Sequence, residues 1–313
     1  MPDTAPTLTA GTTTYAWQEN WAVIPEPLQG KDNRRTHGIA VSPATGNLIV
    51  FHQAEPAVLI YSPQGQLLSR WGNGFLGAHG LTLVIEDGLE RLWLTDQHSG
   101  QVVKTTLDGT LLQSIGKPQT PAYQGGKGYS PTWVAVDQAA GDVWVTDGYG
   151  QGLVHRHDRA GRYLGSIDGT ETGALGRFNC PHGIGFNPKN ELVIADRGNQ
   201  RLQIYDRSGR FLRGVSGVFH SPCAFDFLGD LMLVPELRTG VKLVRNDAEV
   251  LANLGDHSEV TSVPGWPNLA DTSHVKPGRF NSPHGACFSP SGDIFVAEWI
   301  IGGRITKLVR QQP

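Results

Sequence analysis

Residues 176–186 read GRFNCPHGIGF, and residues 278–288 read GRFNSPHGACF, with eight of the eleven positions identical. A phrase that long, written twice in one chain, marks an internal repeat. Working outward from the first copy, HGIGFNP, ELVIADRG, RLQIYDRSG and FLRGVSG read as four consecutive short strands joined by Gly-, Asn-, Asp- and Ser-rich turns. The same order returns from His37 (HGIAVSPATGNLIVFHQ), from His79 (HGLTLVIEDGLERLWLTD), from Thr132 (TWVAVDQAAGDVWVTDGYG), from Cys223 (CAFDFLGDLMLVPELRTG) and from His284 (HGACFSPSGDIFVAEW).

Units of four strands recurring at roughly 40–50 residues are the sequence pattern of an all-β propeller. Six such units predict six blades within a single domain, 1–313, opening near residues 37, 79, 133, 182, 223 and 284. The last unit holds only three strands before the chain stops. An open strand edge is a liability, so the strand-like stretch 14–24 (TYAWQENWAVI) is expected to complete that blade and close the ring. The longer connections at 119–129 and 256–280 are expected to shape one face of the ring.

Composition narrows the function classes. Net charge is −3 with no basic block, so a nucleic-acid partner is not expected. No apolar run reaches the roughly 18 residues of a membrane helix, and the first residues lack the basic and apolar regions of a signal peptide. A cytoplasmic protein acting on a small-molecule or peptide substrate, away from membranes, is the expectation. Three cysteines, Cys180, Cys223 and Cys287, form no disulfide framework.

The residue that opens each innermost strand looks toward the ring axis. Its occupants are His37, His79, Trp133, His182, Cys223 and His284. His79, His182 and His284 fall in alternate blades, so their side chains converge on one axial point. Three imidazoles with an open fourth position are what a catalytic zinc site requires, although imidazole also accepts iron, copper and nickel. A histidine before glycine is also a common way to open a blade without any metal. His37 is a fourth histidine at the channel, as a further ligand or a substrate contact.

An acid ends the second strand of five blades: Asp96, Asp147, Asp196, Glu236 and Glu298. That recurrence reads as architecture. The residues just beyond it differ, giving Tyr149, Arg197, Arg238 and Trp299 as candidates for the channel rim. Tyrosine beside cations is a candidate base, and arginine offers a planar fork for a carboxylate. The bland alternative packs Tyr149 into its turn and pairs Arg197 with Asp196 or Asp206.

On these residues the chain resembles the NHL-repeat propellers, and in particular the peptidyl-α-hydroxyglycine α-amidating lyases. The resemblance rests on GAHGL, CPHGI and SPHGA around the three histidines, on TDGYG around Tyr149 and on ADRGN around Arg197. It implies zinc held by His79, His182 and His284, with Tyr149 as catalytic base and Arg197 in the active site. It places a further arginine just upstream of the first-blade histidine, a spacing that Arg34 fits best, with neighbouring Arg35 close enough to leave the choice open. The implied reaction cleaves the N–C bond of a carbinolamide, such as a peptidyl or N-acyl α-hydroxyglycine, to amide and glyoxylate. Those lyases carry an acid after the third histidine that helps hold a structural calcium; here that residue is Gly285, which argues against calcium. Two other readings stay open: a non-catalytic propeller that binds protein or peptide partners, and a zinc hydrolase using the same histidines. A calcium-dependent sugar lactonase fits the fold but not a histidine triad.

Overall fold

The computed structural model describes residues 5–29, 34–170, 175–246, 249–267, 269 and 272–311. They form six antiparallel sheets arranged as the blades of a propeller. Five sheets have four strands in simple sequential order, opening with Thr36–Val41, Ala78–Glu86, Trp133–Val136, Pro181–Phe186 and Asp226–Leu228. In the fifth blade the regular strand starts three residues beyond Cys223, which is tied in by a single bridge between Pro222 and Glu236.

The sixth blade joins the two ends of the chain. Its innermost strands Pro283–Phe288, Ile294–Glu298 and Arg304–Arg310 are followed by Thr13–Ala22 and then by Thr7–Ala10. The closing strand therefore runs from residue 13 to 22, and a fifth strand outside it was not foreseen. Alternation explains why Thr13–Ala22 sits where it does. Tyr15, Trp17 and Ala22 are buried while Gln18 faces out, and Trp17 packs on Phe280 with ring centroids 4.6 Å apart. Each large apolar side chain buried this way contributes on the order of 1.5–3 kcal/mol, which ties the N-terminal strand to the C-terminal blade.

The recurrent acids brace the blades. Asp96 accepts the backbone N–H of Gly77 and His98, Asp196 that of Asn179, Glu236 that of His220 and Glu298 that of Asn281. Each links the end of its second strand to the loop that leads into its own blade.

The histidine–glycine pair repeats for a steric reason. A Cβ on Gly80 would lie 2.5 Å from the Thr132 carbonyl oxygen, on Gly183 2.5 Å from that of Cys223, and on Gly285 2.2 Å from that of His37. Only glycine lets the innermost strand of the next blade come this close. Any side chain with a Cβ at residue 285 meets the same obstruction. Beyond the histidines, the ends of the six innermost strands surround a cavity of about 720 Å³, walled by residues such as Leu81, Ile184 and Ala286. No helix among the described residues is long and apolar enough to cross a membrane.

Candidate metal centre and active site

Innermost strands bring His37, His79, His182 and His284 together at the start of the channel, all at most 2% exposed. The rings of His79, His182 and His284 form a triangle with centroids 4.7, 4.9 and 4.9 Å apart. Three imidazoles on one zinc, each at about 2.0–2.1 Å, put their ring centroids about 5 Å apart. His37 and Cys223 lie beside two sides of the triangle, and Trp133 lies against all three rings, 6.3 Å from His284. His37 lies beside the His79–His284 edge, 4.7 and 4.5 Å from the two rings. Trp133 lies 6.1 and 6.4 Å from His79 and His182. Cys223 sits between His182 and His284. Among the described residues, the groups whose ligand atoms all lie within 4.8 Å of one another are His37, His79 and His284, and His182, Cys223 and His284; the expected set of His79, His182 and His284 does not form such a group.

Backbone carbonyls set the tautomers. His79 Nδ1 donates to Thr132 O at 2.8 Å and His182 Nδ1 to Cys223 O at 2.6 Å. These are the carbonyls that crowd Gly80 and Gly183, so one close approach both demands the glycine and orients the histidine. His284 faces the His37 backbone in the same way, but its Nδ1 finds no hydrogen-bond partner of good geometry. Burial holds His79 down to about 3 and keeps His37, His182 and His284 well below the usual histidine range. Near neutral pH the four rings are neutral, the state in which imidazole ligates a metal.

Tyr149 reaches into this cluster from the loop after the second strand of blade three. Its Oη is 3.2 Å from His79 Nε2 and 3.0 Å from His182 Nε2. Both histidines have given their N–H to backbone carbonyls, so both Nε2 atoms present lone pairs to a single phenolic hydrogen. One lone pair is left without a proton in a buried centre. Together with the unpartnered Nδ1 atoms of His37 and His284, this donor-poor set fits a cation: nitrogen lone pairs outnumber the hydrogens available to them.

Arg197 completes the group. Its Nη2 donates to Tyr149 Oη at 3.1 Å and to Cys180 Sγ at 3.2 Å, and its guanidinium lies 5.2 Å from the tyrosine ring centre. It pairs with neither acid considered from the sequence, because Asp196 holds Arg201 and Asp206 holds Arg210. Tyr149 is 42% exposed at the channel mouth yet surrounded by protein. Burial pushes its phenol up to about 12, with Arg197 pulling the other way. The expectation that neighbouring cations favour the phenolate is therefore not met by the chain alone: one arginine does not offset the desolvation.

The upstream arginines separate clearly. Arg35 is buried, with its guanidinium 4.5 Å from the centre of the Trp299 ring, and that indole lies 6.1 Å from His37. Arg34 is half-buried and its charge bears on His52 instead. Arg238 is exposed and stacks at 5.4 Å on Trp266 of the long 256–280 connection, of which residues 268, 270 and 271 lie outside the described ones.

Sequence reasoning missed the support beneath Tyr149. Tyr123, from the 119–129 connection, donates its hydroxyl to Asp147 at 2.7 Å and stands 2.6 Å from His155 Nε2. Asp147 in turn accepts the backbone N–H of Ser130 and Gln151, at 2.7 Å each, and so ties the loop that carries Tyr149 to the segment that leads into blade three. The tyrosine lies in an irregular connection and the histidine on a strand that reads LVHRH, and nothing local marks them as partners. Cys180 was also passed over, although it stands two residues before His182 on the strand entry that meets the rim.

Comparison with known proteins agrees with this architecture. The NHL repeat matches residues 178–205. NHL repeat-containing protein 3 of Homo sapiens is 25% identical over 272 residues, covering 80% of this chain and 74% of that protein. Peptidyl-glycine alpha-amidating monooxygenase B of Xenopus laevis is 27% identical over 299 residues, covering 83% of this chain but 32% of its own length. Among solved structures, a gluconolactonase from Xanthomonas campestris superposes with a TM-score of 0.64 at 14% identity, over 99% of each chain, a likeness of fold. The chain is a six-bladed β-propeller in which residues 178–205 match the NHL repeat, and it is similar to NHL repeat-containing protein 3 and to part of the peptidyl-glycine α-amidating monooxygenases.

Proposed function

We propose that this chain is a metal-dependent lyase that cleaves the N–C bond of a carbinolamide, with an N-acyl or peptidyl α-hydroxyglycine as substrate class. The observation that carries the reading is the pair of His79 and His182 Nε2 lone pairs facing one tyrosine hydroxyl, which itself accepts from Arg197. A structural histidine cluster would have no use for a tyrosine and an arginine on its open side.

His79, His182 and His284 would hold the ion, zinc being the natural fit to an all-imidazole set. When bound, it supplies Lewis acidity at the substrate hydroxyl and a positive charge that opposes the effect of burial on Tyr149. The rest is the work of the chain. Arg197 and Arg35 offer forks to the substrate carboxylate, with Trp299 walling the approach and Arg238 at the outer rim. Tyr149 would act as the phenolate, its own proton having left to solvent when the cation is bound, and its Oη takes the proton of the carbinol hydroxyl. As C=O forms at that carbon, the C–N bond breaks and its electron pair leaves on nitrogen. The proton held by Tyr149 passes to that nitrogen, giving the amide and glyoxylate.

Elemental analysis of the purified protein beside His182→Ala, followed by glyoxylate release from α-hydroxyhippurate, tests the reading. About one zinc per chain, lost in the variant, with turnover lowered at least about 10²-fold by Tyr149→Phe, is the expected result. Zinc without glyoxylate release would favour a hydrolase at the same site. Absence of both would leave a propeller that binds partners.

A further inference from the structure

We propose that His37 is a direct ligand of the metal, binding it together with His79 and His284. This rests on the metal reading of the centre but not on the lyase chemistry.

His37 is buried to 2% exposure, and its ligand atom lies within 4.8 Å of those of both His79 and His284. Its Nδ1 has no hydrogen-bond partner, and a desolvated nitrogen left unpaired is costly unless something satisfies it. Two glycines hold it in place. Gly285 leaves room for the His37 backbone, whose carbonyl oxygen would be 2.2 Å from a Cβ there, and Gly38 lets its own strand close on Leu81, 2.5 Å from a Cβ built on it. The ring is thus pressed against the His79–His284 edge by the packing of blades one, two and six.

The other two edges of the triangle have no equivalent. Trp133 offers an indole N–H, which cannot ligate. Cys223 keeps its thiol on the Ser221 carbonyl at 3.4 Å and would first have to give up that proton.

Competitive zinc titration of the wild type, His37→Gln and His182→Gln decides the matter without any activity assay. Loss of an outer-shell partner already weakens metal binding about 10–100-fold, so removing a ligand should weaken it at least about 100-fold in His37→Gln. Cobalt loading should show a changed visible spectrum in the same variant. Wild-type affinity and spectrum in His37→Gln, with loss in His182→Gln, would overturn the proposal and leave the triad standing. Failure of the wild type to bind zinc would overturn both. Should His37→Gln not fold, ¹⁵N-histidine spectra of the wild type before and after zinc serve instead, with His37 assigned through its contacts to Trp299. A nitrogen of that ring that shifts on loading supports ligation, and one that stays put refutes it.

Discussion

Blades three and six use the same acid position in opposite ways. In blade six, Glu298 pairs with Arg304, a guanidinium 2% exposed that also reaches Glu19 at 2.9 Å. Blades four and five follow suit, with Asp196 on Arg201 and Glu236 on Lys242. In blade three, Asp147 faces no such cation; the neutral Tyr123–His155 pair stands in the place of one. Burial accordingly raises the Asp147 carboxyl above its ordinary range. The three ion-paired blades are locked by charge. The one that carries Tyr149 is held by neutral hydrogen bonds, as is Asp96 of blade two through Gly77, His98 and Ser99.

Breaking the lock should cost most. Arg304→Ala strands Glu298 in the interior, and removing one partner of a buried pair costs about 3–5 kcal/mol. Urea unfolding should report a loss of that size; a loss under about 1 kcal/mol would mean that the ion pair does not brace the ring. Tyr123→Phe should cost less, about 1–3 kcal/mol for the buried carboxylate left short of a donor. Its signature lies elsewhere. If the clamp positions Tyr149, glyoxylate release should fall about 10-fold in kcat with little change in KM, whereas Arg304→Ala should leave kcat untouched in the folded protein. Equal effects of the two variants on kcat would erase the distinction between the blades.

The ring was legible because its punctuation is local. Glycine-bounded strands recur, and the histidine before glycine marks the axis; Gly80, Gly183 and Gly285 show why, since a carbonyl of the next blade occupies the space of a Cβ. The axial histidines could be found by counting blades. Spacing favours Arg34, whereas it is Arg35 that is buried beside the channel, because which of two adjacent residues turns inward depends on Trp299 packing from another blade. The Tyr123–Asp147–His155 clamp was invisible for the same reason: its members meet only after a connection of irregular length folds back on the blade. The outermost strand Thr7–Ala10 has too short a pattern to announce itself and gains its place from pairing with Thr13–Ala16.

The smallest effect is the sharpest probe of the contrast, because it separates the blades by pH. Burial lowers His155 to about 3, so it is neutral in the folded chain, against about 6.5 when unfolded. A depressed histidine contributes stability that is whole above the unfolded value and is lost as pH falls below it, since the unfolded state then binds the extra proton. Between pH 6.5 and 5 that share amounts to about 1.4 kcal/mol per pH unit at most. The carboxylate–cation pairs of blades four to six have no histidine to protonate in that interval. His79 and His52, lowered to about 3 and about 4, and His37, His157, His182, His257 and His284, also lowered by burial, add slopes of the same sign, so the wild type alone cannot assign the effect to blade three. His155→Gln does: urea unfolding at pH 7 and at pH 5.5 should show a shallower decline in the variant than in the wild type. Parallel declines would mean that His155 takes up no proton on unfolding, and the neutral relay in blade three would lose its basis.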